Sequence, residues 1–115
     1  MFRVKTLIGA VIIMVVGAVQ ALAGSLDGTW VGIGTNKFGV SYDETIVINV
    51  TGSSVSGTYE SSQSDGPVKI SGTVTGSNTI KITVFGIGTA ELFMTFNGNA
   101  MSYTWEWGTG KLARN

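Results

Sequence analysis

Residues 55–59 read VSGTY, residues 70–74 read ISGTV, and a shorter echo, GTW, stands at 28–30. Each sets a glycine inside a run where apolar and polar residues alternate, the mark of a half-buried β-strand. Glycine in a strand interior packs nothing and weakens the strand, so its recurrence needs a reason. In VSGTY one face holds Val55, Gly57 and Tyr59, and in ISGTV it holds Ile70, Gly72 and Val74. Around GTW, Gly28 and Trp30 share a face with Gly32 and Gly34. The glycines therefore lie on the apolar face, between bulky neighbours. There a strand can bend sharply and leave room for a large side chain from across a small barrel. The repeat reads as a curvature device in a tightly rolled sheet.

The same period-2 alternation extends in both directions and never gives way to a helical period. It predicts strands at 28–34, 44–50, 55–61, 68–75, 79–85, 89–96, 100–107 and 111–114. The links are short and rich in turn formers: TGSS at 51–54, Asp65-Gly66-Pro67, Gly76-Ser77-Asn78, Gly86-Ile87-Gly88, Asn97-Gly98 and Gly108-Thr109-Gly110. Eight strands at this spacing predict an all-β fold, a small antiparallel up-and-down barrel, with a two-sheet sandwich as the alternative.

The N-terminal 23 residues stand apart. Arg3 and Lys5 precede the apolar run LIGAVIIMVVGAV, which ends in Ala21-Leu22-Ala23. That is the pattern of a secretory signal peptide, helical before removal, and the run is short of the roughly 20 residues a membrane span needs. The expectation is a signal peptide at 1–23 and a single β-barrel domain at 24–115, secreted or periplasmic, with no membrane attachment after cleavage. An outer-membrane barrel would need an apolar exterior, the reverse of the pattern here. The chain has no cysteine, so its core alone must hold it. Without Arg3 and Lys5, five basic residues face seven acidic ones; no basic patch exists and no nucleic-acid partner is expected.

Catalysis finds little support. There is no His and no Cys, which removes the commonest general base, thiol nucleophiles and the usual zinc ligands. The carboxylates are Asp27, Asp43, Glu44, Glu60, Asp65, Glu91 and Glu106, most of them at turns or on the polar face. The Asp43-Glu44 pair reads as a solvated strand start. No enzyme activity, cofactor or metal is expected.

Gly28-Thr29-Trp30 opening the first strand, GTYES at 57–61 and the terminal Arg114 resemble the calycin group, the lipocalin-like and avidin-like barrels. The resemblance implies a barrel closed by its last strand beside the first. It also implies that Arg114 packs over Trp30 in a cation–π contact, of about 0.5–2 kcal/mol. Avidin-like barrels draw part of a polar biotin-binding ring from an Asn shortly after that Trp. Here Val31-Gly32-Ile33-Gly34 follows, and a biotin site is not expected.

Two non-catalytic roles remain, a protein-interaction or self-association module as the first reading and a ligand carrier as the alternative. A protein-interaction or self-association surface would use the outward apolar residues Val31, Ile33 and Val47, together with Phe85 and Phe93, which the pattern places opposite each other on the fifth and sixth strands. A carrier of a small apolar or amphipathic ligand would use Trp30, Tyr59, Tyr103 and Trp105 around the inward glycines Gly57 and Gly72. The row Tyr103, Trp105, Trp107 is expected on the core face, alternating with Ser102, Thr104 and Glu106.

Overall fold

The computed structural model describes residues 26–86 and 88–115; the expected signal peptide, 1–23, lies outside the described residues. Eight strands follow one another: β1 (Gly28–Asn36), β2 (Ser41–Thr51), β3 (Ser54–Ser61), β4 (Val68–Gly76), β5 (Thr79–Gly86), β6 (Gly88–Asn97), β7 (Ala100–Trp105) and β8 (Gly108–Arg114). Each pairs antiparallel with the next, and β8 returns to pair with β1, closing the barrel. Trp30 stands opposite Arg114 and Gly34 opposite Gly110 in that closing ladder, which excludes the two-sheet sandwich.

The core follows the alternation. Trp30, Ile46, Ile48, Val55, Ile70, Ile80, Ile82, Leu92, Met94, Phe96, Met101, Tyr103 and Leu112 are buried inside. Trp30 is fully buried, edge-on to Phe96 with ring centroids 5.1 Å apart, and its Nε1 donates to the Leu26 carbonyl at 3.1 Å.

The inward glycines sit where neighbouring strands come closest. A Cβ on Gly57 would lie 1.8 Å from the Val47 carbonyl oxygen, and one on Gly72 would lie 2.0 Å from that of Lys81. Gly57 also holds φ at +150°, which L side chains rarely adopt. Curvature is thus obtained by letting backbone approach backbone.

The structure corrects the pattern in three places. β7 stops at Trp105 and β8 begins at Gly108, so Glu106 and Trp107 form the turn. Gly108 and Gly110 look like turn residues but serve packing: their Cβ atoms would meet the Thr35 carbonyl oxygen at 2.2 Å and the Tyr103 ring at 2.1 Å. Trp107, expected inside, is therefore 40% exposed, with the Lys37 ammonium 3.4 Å from its ring centroid. Phe85 and Phe93 do not face each other, because the register sets Phe85 opposite Thr89 and Phe93 opposite Lys81. Finally, β2 starts at Ser41, not at 44. The Asn36 side chain accepts from the backbone N–H groups of Phe38 (2.9 Å) and Val40 (3.1 Å), turning the chain early enough to bring Tyr42 and Glu44 into the barrel.

Candidate functional site

Glu44 shares the inward parity of Ile46 and Ile48 and is 2% exposed, the one charged residue type buried among the described residues. The reading of a solvated strand start holds for the exposed Asp43 and is overturned for Glu44. What makes room for it is a layer of small residues. Along the ladders, Tyr42 stands opposite Gly34, Gly34 opposite Gly110, and Gly110 opposite Tyr103. Two tyrosines thus flank two glycines across four strands. A Cβ on Gly34 would lie 2.6 Å from the Tyr42 ring and 2.8 Å from the Glu44 carboxyl carbon. The glycines of β1 and β8 vacate the space that Glu44 and the Tyr103 ring fill.

The carboxyl is held by phenols. Tyr59 on β3 and Tyr103 on β7 both donate to Glu44 Oε2, the second at 2.5 Å. Oε1 is buried and has no hydrogen-bond partner among the described residues. Burial raises the Glu44 pKa above its ordinary 4.5, while the hydrogen bonds from Tyr103 and Tyr59 pull the other way. Burial raises Tyr59 and Tyr103 still further from 10, reinforced by their bonds to Glu44 and by its charge. Tyr42 is raised by burial and then by the Glu44 charge. An unpartnered buried oxygen and a raised pKa agree: this carboxyl holds its proton more tightly than an exposed glutamate. All three tyrosines of the chain meet in this cluster.

Beside it opens a cavity of about 110 Å³, lined by Tyr42, Tyr59, Val84, Ala90, Leu92, Tyr103 and Trp105. β2, β3, β5, β6 and β7 each contribute to its wall. Of the residues the sequence singled out for a ligand, Tyr59, Tyr103 and Trp105 come together here. Trp30, Gly57 and Gly72 do not. Trp30 lies four residues from Gly34 along β1, beneath Arg114, whose guanidinium carbon is 4.4 Å from the indole centroid. Arg114 Nη1 also donates to the Asp27 carbonyl, and its Nε donates to Asn99 Oδ1 at 3.1 Å. Gly57 and Gly72 face neighbouring backbone. Sequence reading missed Tyr42 and Glu44, although continuing the parity of Ile46 and Ile48 back by two and four residues reaches both.

The outward apolar residues fall into separate places. Val31, Ile33 and Val47 lie on the outer face of β1–β2, and Phe85 and Phe93 lie on that of β5–β6. No group of three or more Asp, Glu, His or Cys side chains able to hold a metal is found among the described residues.

No family model matches the chain, and no curated protein matches it. Among solved structures, it is similar to a redesigned β-barrel at 18% sequence identity and a TM-score of 0.68, over 82% of this chain and 95% of that one. At that identity the likeness speaks for the fold alone: the chain is an eight-stranded antiparallel closed β-barrel.

Proposed function

We propose that the chain is an exported, non-catalytic, calycin-like binding barrel that holds a small apolar or amphipathic ligand at its tyrosine end. The observation that carries this reading is the cavity beside Glu44, walled by aromatic and aliphatic side chains. Its size of about 110 Å³ suits a single ring or a short chain. That wall is almost wholly apolar, because the Tyr59 and Tyr103 hydroxyls are turned to Glu44, and it suits the apolar part of such a guest.

The test is a titration of the mature protein with benzyl alcohol, followed residue by residue through amide NMR shifts. Saturable shifts are expected at Ala90, Leu92, Tyr103 and Trp105, and Trp105→Ala should weaken binding about tenfold. Shifts that never saturate, or that cluster elsewhere, would rule the site out.

A second reading, a protein-interaction or self-association surface, is favoured by one observation. Val31 and Ile33 are exposed along β1, with Val47 beside them on β2. Light scattering of wild type against Ile33→Ser measures it, and a dimer that the substitution dissolves would support it.

A further inference from the structure

Building on the proposed ligand site, we infer that its ligand is an amphipathic cation, an apolar group carrying a quaternary ammonium head, which enters through the barrel wall between β6 and β7. β7 is short. Its pairing with β6 covers Phe93–Asn97, and among the described residues no strand pairs with Gly88–Leu92 on the side away from β5. A groove of about 510 Å³ runs there, and two residues, Ala90 and Trp105, line both the groove and the inner cavity. Trp105 and Ala90 thus lie between the apolar inner cavity and the outer groove.

The outer groove differs in chemistry from the inner cavity. Phe93, Trp105 and Trp107 give it aromatic surface, and its ionisable lining residues, Glu91 and Glu106, are both acidic. Aromatic faces beside carboxylates are what a quaternary ammonium group binds, by cation–π attraction and charge together. The chain's own cations already favour the place. Lys37 Nζ sits 3.4 Å from the Trp107 centroid, and Lys81 Nζ lies 3.3 Å from Glu91 Oε2 and 6.0 Å from the Phe93 centroid. Both partners of the Lys81–Glu91 pair are well exposed, so the pair is weak and leaves Glu91 able to serve another cation. Glu106 makes no salt bridge among the described residues, and its Oε1 accepts from Trp107 Nε1 at 2.9 Å. A guest with its ring in the inner cavity would set its head group among these residues, past Trp105.

Three probes that share a benzyl group test this: benzyltrimethylammonium, phenylmethanesulfonate and benzyl alcohol, titrated calorimetrically and by amide NMR into wild type and into the Glu91→Gln/Glu106→Gln double variant. Both substituted side chains are exposed, so the variant should fold like the wild type. The cation is expected to bind about fivefold or more tighter than the anion. In the double variant that preference should shrink towards one, while benzyl alcohol binds unchanged. Equal affinity for cation and anion, or a preference that survives the double substitution, would overturn the cation inference and leave the cavity reading standing. If benzyl alcohol binds but the cation does not shift Phe93 and Trp107, the lateral opening is wrong. If none of the three binds wild type, both fall.

Discussion

Glu44 on β2 and Tyr103 on β7, 59 residues apart in the chain, meet inside the barrel with Tyr103 donating to Glu44 Oε2 at 2.5 Å. The contact exists because Gly34 and Gly110, on the two strands that close the barrel, carry no side chain between them. It joins closure, packing and the candidate ligand site at one point.

The buried carboxyl sets a pH dependence. Its pKa is raised in the folded state, so the native protein binds this proton more tightly than the unfolded chain does. The contribution is fully present below about 4.5 and is lost as pH rises through the folded value. Melting temperature followed from pH 4 upward should therefore carry a falling component in wild type that Glu44→Gln removes. Identical profiles for the two proteins would contradict the burial of Glu44.

The tyrosines provide an independent spectroscopic reading. All three are raised above 10, and each ionises more readily in the unfolded chain. Ultraviolet titration should show little tyrosinate in the native protein near pH 10, then a rise that coincides with loss of the β-sheet signal. Ordinary, gradual ionisation of all three with the fold intact would place them in solvent.

Glycine substitutions separate the roles of the small residues. Gly110→Ala drives a methyl into the Tyr103 ring and should cost about 1–3 kcal/mol in denaturant unfolding. Gly57→Ala meets backbone at 1.8 Å with φ at +150° and should cost more. Gly86→Ala points into open space and should stay within about 0.5 kcal/mol of wild type.

At the other end, Arg114 combines its place over Trp30 with hydrogen bonds to Asp27 and Asn99. Arg114→Lys keeps the charge but loses the planar fork, and about 0.5–2 kcal/mol of stability should go with it. A melting curve superimposable on wild type would mean that the planar fork and its hydrogen bonds contribute nothing a lysine ammonium cannot supply.

The alternation of Ile46 with Ile48, or of Met101 with Tyr103, made the barrel and most of its core legible, because side-chain direction in a strand has a strict period of two. The same rule reached Glu44 and Tyr42, but residue type spoke against parity: an acid beside another acid reads as solvated until the two phenols that bind it are known. Those partners come from strands far along the chain, and no local pattern names them. Gly108 and Gly110 misled for a related reason. Their composition is that of a turn, while their requirement is the nearness of Thr35 and Tyr103 across the closing strands. The outer groove was beyond reach because it depends on β7 stopping at Trp105 while β6 continues back to Gly88.

The most direct measurement is a crystal structure of residues 24–115 soaked with benzyl alcohol. A ring bounded by Tyr59, Leu92, Tyr103 and Trp105 is expected, with the Glu44–Tyr103 hydrogen bond in place behind it. A tyrosine end that stays closed around its own side chains, with the ring bound elsewhere or nowhere, would contradict that expectation.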